Sequence, residues 1–88
     1  MSLLIPSKEQ AIKFVKDRID LQADTIEVEA NGNGTYAGTA TFNGPPADPP
    51  PSNAAEAKSD AEAAINVDGT KKVTVTKQSG GTYDVAVV

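Results

Sequence analysis

The chain has 88 residues, 39% of them hydrophobic, with no Cys, no His and a formal net charge of −4 at pH 7. These values indicate one domain, residues 1–88, without disulfides, and they leave structural zinc almost without ligands. Arg18 is the only arginine. Nucleic acid is excluded as the expected partner, because binding to a phosphate backbone depends on clustered Lys and Arg.

The first ten residues, MSLLIPSKEQ, have neither the basic region nor the long apolar run of a signal peptide. No stretch approaches the roughly 20 apolar residues that a membrane span needs. We therefore expect a soluble chain with no signal peptide, no transmembrane segment and no membrane partner.

Residues 1–42 are predicted to form a helix followed by a β-hairpin. Ser7 and Gln10 have the spacing of a capping box, and apolar residues at helical spacing follow it, which predicts a helix from Lys8 to Leu21. Alternating apolar and polar residues predict a strand over TIEVEA and a return strand ending at Phe42. The intervening NGNG is typical of a turn.

Residues 43–52 form a proline-rich connector, and residues 53–88 repeat the order of the first unit. The connector is expected to be extended and stiff, because proline fixes φ and lacks an amide donor. Asn53 is predicted to cap a second helix that ends near Ile65 and carries an alanine stripe. Two strands follow, over KKVTVTK and from Tyr83 onward.

The two predicted hairpins align with an offset of 47 residues, which places Ile26 on Val73 and Tyr36 on Tyr83 with the same inward face. A lone hairpin is marginal in water, so the two are expected to pair. The prediction is an α+β fold, in which two helix-strand-strand units form a four-stranded antiparallel sheet with both helices on one face.

No set of residues predicts an enzyme. The usual general base and the easiest nucleophile are missing with His and Cys. Glu27 and Glu29 share a strand face about 7 Å apart, a spacing that would suit a hard cation, but the polar side of an amphipathic strand is favoured. We predict no catalytic, cofactor-binding or metal residues, and no cofactor.

Charges on the strands allow two arrangements. If the hairpins lie side by side, the two glutamates of the first hairpin, Glu27 and Glu29, can pair within the molecule with lysines of the second hairpin, which are Lys71, Lys72 and Lys77. If the hairpins lie at opposite edges, the subunit has one acidic and one basic flank and can associate head to tail.

Two apolar segments are surplus to the predicted core, SLLI near the start and VAVV at residues 85–88. The SLLI segment either contacts a partner or folds back under the helices to thicken the core. The candidate interface therefore comprises apolar residues near both ends and polar residues of the open sheet face: Leu3, Leu4, Ile5, Glu27, Glu29, Thr39, Thr41, Lys71, Lys72, Thr74, Thr76 and Val88.

In composition and order of elements the chain resembles the small structural proteins with which phages decorate or cement capsids. The resemblance rests on shortness, acidity, absence of Cys and richness in Ala, Thr, Val and Gly. It implies a virion protein that binds itself or a capsid subunit, and it assigns no residue roles. The alternative is a monomeric bacterial binding or regulatory module, in which case the location is cytoplasmic.

Overall fold

The computed structural model describes residues 2–43, 51–78 and 81–88. Most of the proline-rich connector, and Ser79 and Gly80 of the second predicted turn, lie outside these residues. The elements in chain order are β1 Leu3–Ile5, α1 Lys8–Asp20, β2 Thr25–Ala30, β3 Tyr36–Thr41, α2 Ala54–Asn66, β4 Lys72–Lys77 and β5 Tyr83–Val87.

The strands form one antiparallel sheet in the order β1-β3-β2-β4-β5. The α+β prediction with two helices on an antiparallel sheet is confirmed, and over the described residues the sheet has five strands where four were predicted. The additional strand is β1, which pairs with β3 through Leu3 opposite Gly38 and Ile5 opposite Tyr36. The SLLI segment therefore extends the sheet as an edge strand, and its last residue, Ile5, adds to the core under α1, as the fold-back alternative expected.

Both helices cover the same face of the sheet. Helix α1 packs on β1, β3 and β2, helix α2 packs on β4 and β5, and the two helices contact each other. The predicted alanine stripe of α2 faces this core. The buried apolar residues are Ile5, Ala11, Phe14, Val15, Ile19, Ala23, Ile26, Val28, Ala57, Ala61, Ala64, Ile65, Val73, Val75 and Tyr83.

Local signals in the sequence explain where α1 begins and ends. The Gln10 N–H donates to Ser7 Oγ at 3.2 Å, so Ser7 caps the helix as predicted. At the other end Gln22 adopts a left-handed φ of 59°. The Gln22 and Ala23 amides return to the carbonyls of Ile19 and Arg18, which is a Schellman motif.

Gly38 makes room for the bulkiest part of the core. A Cβ at this position would lie 2.6 Å from Ile5 Cδ1 and 3.0 Å from the Phe14 ring. The absence of a side chain in the middle of β3 therefore allows Phe14 of α1 and Ile5 of β1 to pack directly against the strand backbone.

Candidate functional site

The face of the sheet opposite the helices is not covered by any described element, and we call it the open face. The register aligns residues of three strands in rows across it, with Thr25 between Thr41 and Thr76 and Glu27 between Thr39 and Thr74. The structure thus brings together most of the polar candidate residues: Glu27, Glu29, Thr39, Thr41, Lys72, Thr74 and Thr76.

An ion pair lies on the open face, within the molecule. Lys72 Nζ lies 3.1 Å from Glu27 Oε1, and both side chains are about half-exposed. Strands β2 and β4 are neighbours at the centre of the sheet, so the side-by-side arrangement of the hairpins is confirmed. The alternative with an acidic and a basic flank is wrong.

The edge formed by β1 is apolar and exposed. Leu3 and Leu4 are 54% and 68% exposed, whereas Ile5 is 3% exposed and belongs to the core. Ile5 therefore offers no side chain to a partner, so of the three predicted interface residues in β1 only Leu3 and Leu4 remain candidates. On the other side of β1 from β3, the described residues contain no strand.

A groove of about 280 Å³ lies between β1 and α1, and we call it the β1–α1 groove. Phe14 forms part of its floor, and the Arg18 guanidinium lies 4.1 Å from the centre of the Phe14 ring. Lys13 and Asp17 line its rim and form an ion pair at 2.9 Å.

The apolar surface continues beyond this groove along α1. Asp17 and Arg18 also line an adjoining open depression of about 460 Å³, together with Leu21 and Phe42. Both of these apolar residues are more than half exposed. The predicted return strand includes Phe42, whereas β3 ends at Thr41, and Phe42 lies beside Leu21 near the end of α1.

The edge formed by β5 differs from the β1 edge, because the side chain of Asn53 bonds the backbone of Tyr83, the first residue of β5. Asn53 Nδ2 donates to the Tyr83 carbonyl at 2.8 Å, and the Tyr83 N–H donates to Asn53 Oδ1 at 2.8 Å. Asn53 occupies the N-cap position of α2, as predicted, but its side chain makes no capping bond because it is bonded to the Tyr83 backbone instead. Val87 and Val88 beyond it are exposed.

A second cleft of about 280 Å³, which we call the turn cleft, lies at the NGNG end of the sheet. Lys8, Tyr36 and Lys71 are among its lining residues. Lys8 Nζ lies 3.7 Å from Asp68 Oδ1. Lys71 thus stands apart from the open face on which the sequence reasoning placed it.

Two ionisable groups tie the strands together. The backbone N–H of Asn43 donates to Asp24 Oδ2, and this bond, with Lys77 at 3.3 Å from Oδ1, lowers the pKa of Asp24. Burial raises the pKa of Tyr83, whose hydroxyl donates to the Ile19 carbonyl at 3.3 Å. Both groups therefore support the fold through contacts between its elements.

In the part of the chain that the structure describes, no three acidic, His or Cys side chains converge as a metal site would require. Neither described helix is long and apolar enough to cross a bilayer. In comparisons with known proteins, no family model matches the chain, and neither a curated protein nor a solved structure matches it significantly. The chain is thus a two-layer α+β protein with two helices on one face of an antiparallel sheet.

Proposed function

We propose that this chain is a non-enzymatic structural protein that stabilises an assembly by burying its own surface against neighbouring protein subunits. The observation that carries the proposal is the apolar β1 edge, where Leu3 and Leu4 are exposed beside the β1–α1 groove. Exposed sheet edges and contiguous apolar patches are the surfaces through which small domains associate.

The open face and Val88 extend the surface that such an assembly would bury. The threonines of the open face present short side chains on β2, β3 and β4, which suits flat packing against another subunit. Val88 is 76% exposed at the β5 side of the sheet. The mechanism is passive, because each copy adds buried area and binding shifts the equilibrium toward the folded state.

The specific assignment that we favour is a capsid decoration or cement protein of the phage type, acting in the virion. Its support is the compositional resemblance, together with the apolar edge as the means of attachment. Such a protein needs no catalytic residues and no cofactor, since its contribution is the free energy of the contact itself.

Solution mass by light scattering, combined with thermal melts at several protein concentrations, tests the proposal. We expect a defined oligomer whose melting temperature rises with concentration, because association stabilises the folded state by mass action. A monomer whose melting temperature is independent of concentration would contradict self-assembly.

The turn cleft favours a second candidate, a monomeric bacterial binding or regulatory module in the cytoplasm. Lys8, Lys71 and Tyr36 give that cleft two cationic groups and an aromatic surface, with one carboxylate, Asp68, beside Lys8. The remaining cation, Lys71, and the aromatic surface suit a small acidic ligand or segment. The monomeric outcome of the mass measurement would shift the choice to this candidate.

A further inference from the structure

We propose that the β1–α1 groove is the contact of a closed two-fold dimer, in which β1 pairs antiparallel with β1 of a second copy. The proposal rests on the proposed function, and it deepens it by naming the surface and the partner. The result would be one ten-stranded sheet with all four helices on the same side.

The backbone of β1 is available for this pairing. The Asn31 N–H donates to the Thr35 carbonyl, and because backbone bonds alternate along an antiparallel pair, the groups of Tyr36 and Gly38 point to β1. By the same alternation Leu4 directs its N–H and carbonyl to the free edge of the sheet. A strand from a second copy would satisfy both groups.

The other edge is less suited to pairing. Directly after β5, the Val88 N–H donates to the Lys72 carbonyl, and directly before β5, the Thr82 carbonyl accepts from the Gln78 N–H. The groups of Tyr83, Val85 and Val87 therefore point to the free edge. Asn53 already occupies both groups of Tyr83, so an added strand at β5 would meet a blocked first position.

The space above a β1–β1 pair fits the side chains that surround it. Helix α1 packs on β1, β3 and β2, so it is centred near β3. With strands about 4.8 Å apart, β3 and its copy lie about 14 Å apart across the dimer. Helices in direct contact lie about 8–10 Å apart, so the two α1 helices would be separated by more than direct contact allows. The two Leu3 side chains and the long side chains on the rim would fill the gap between them.

Charge on the rim of the groove is complementary to itself. Lys13 and Asp17 are exposed on the same side of α1. Arg18 and Asp20 add one further charge of each sign, and Asp20 also forms an ion pair with Lys58 of α2. A two-fold axis makes the two α1 helices antiparallel, so the Lys13 end of one faces the Asp17 end of the other. A patch without net charge allows two copies of a chain of net charge −4 to approach at this face.

Leu3→Lys tests the surface, and Val87→Lys is the matched control. The two side chains are 54% and 51% exposed, and each stands on an edge strand. We expect sedimentation to give a dimer for the wild type and for Val87→Lys. For Leu3→Lys we expect a dissociation constant raised at least about tenfold. Circular dichroism spectra like that of the wild type would establish that both variants fold.

A charge exchange tests the two-fold arrangement itself. Lys13→Asp and Asp17→Lys are each expected to weaken the dimer, because each places like charges across the contact. A mixture of the two variants is expected to recover the dimer as a heterodimer. The intramolecular pair is lost in both variants, so only a contact between copies explains recovery on mixing.

The other outcomes overturn the proposal in distinguishable ways. A monomeric wild type contradicts self-assembly and the dimer together. A wild-type dimer that survives Leu3→Lys and dissociates with Val87→Lys contradicts the β1 surface alone and leaves the assembly role standing. Open-ended growth with concentration, or loss of association in both variants, indicates head-to-tail pairing of β1 with β5. Failure of the mixture to recover contradicts the two-fold arrangement of α1.

Discussion

The side-chain amide of Asn53 pairs with both backbone groups of Tyr83, as a neighbouring strand would, through two hydrogen bonds of 2.8 Å. This contact joins the start of α2 to the start of β5 across 30 positions of the chain. It both anchors the helix to the sheet edge and prevents that part of the edge from pairing with another chain.

Replacing Asn53 by Ala is expected to lower the free energy of unfolding by about 1–3 kcal/mol, because two part-buried backbone groups lose their partners. Urea denaturation measures the loss, and hydrogen exchange at the Tyr83 amide reports it locally. Asn53→Asp is the control that retains an acceptor for the Tyr83 N–H but loses the donor to its carbonyl. Equal stability of Asn53→Ala and wild type would show that water replaces the amide without cost.

Gly38→Ala is expected to cost about 1–3 kcal/mol, because the added methyl group has no space beside Ile5 and Phe14. The closest approach is to Ile5 Cδ1, and Ile5→Val removes that atom. Alone, Ile5→Val is expected to cost about 0.5–1.5 kcal/mol. The double variant is expected to lose less stability than the sum of the two single variants. Denaturation of the wild type, the two single variants and the double variant gives the coupling free energy. Strictly additive effects would contradict crowding against Ile5 as the cause.

Ala61→Leu is expected to destabilise the fold by about 1–3 kcal/mol or more, since Ala61 is fully buried between α2 and the sheet. Ala63→Leu is the matched control two residues away, because Ala63 is exposed on the same helix. It is expected to change stability by no more than about 0.5 kcal/mol. Thermal or urea denaturation distinguishes the two, and similar effects at both positions would contradict the close packing of α2.

Stability is expected to fall in acid partly through Asp24. The Asn43 N–H and Lys77 lower the pKa of Asp24 in the folded chain. The carboxylate therefore contributes stability above its unfolded pKa, and the contribution is lost as the pH falls through the lower folded value. Urea midpoints, followed from neutral pH into acid, are expected to vary less for Asp24→Asn than for the wild type. Curves of the same shape would contradict this contribution.

The Tyr83 phenol is expected to make the fold sensitive to alkali. Burial raises its pKa above the ordinary value of 10.0. Its stabilising effect is complete below the unfolded pKa and is lost as the pH rises through the folded pKa. Tyr83→Phe is expected to lose about 1 kcal/mol at neutral pH, with the hydrogen bond to Ile19, and to be less sensitive to alkaline pH. An alkaline denaturation profile unchanged from the wild type would contradict the assignment.

The hairpins were predictable because their information is local. Alternation of period two fixes which side of each strand is buried, and Ile26, Val28, Val73 and Val75 are all buried as predicted. The helices also repeat, although the sequence alignment did not show it. Three of the four buried positions in each helix correspond with an offset of 46 residues, one less than the hairpins: Ala11 with Ala57, Val15 with Ala61 and Ile19 with Ile65. The one-residue difference lies in the loop after each helix.

The parts that sequence reasoning missed depend on distant partners. The three residues of β1 are too few for any periodicity, and they are a strand only because Tyr36 and Gly38 of β3 offer backbone groups to pair with. Asn53 has the residue type and the spacing of a helix cap, and nothing near it in the chain reveals Tyr83. Leu21 and Phe42 each lie one residue beyond the end of an element, α1 and β3 respectively. A shift of either end by one residue would change their exposure.

The register at the centre of the sheet relates the two halves of the chain by an approximate two-fold axis. Ile26 pairs with Val75 and Val28 pairs with Val73, while Glu27 faces Thr74. The offset of 47 residues makes Ile26 equivalent to Val73 and Val28 equivalent to Val75, so the two pairs are related by exchange of the halves. Each half therefore contacts the other through the same surface. A single polypeptide thus contains the kind of interface that symmetric dimers form between two chains. Matched substitutions in the two halves, such as Val28→Ala and Val75→Ala, therefore compare one environment on its two sides.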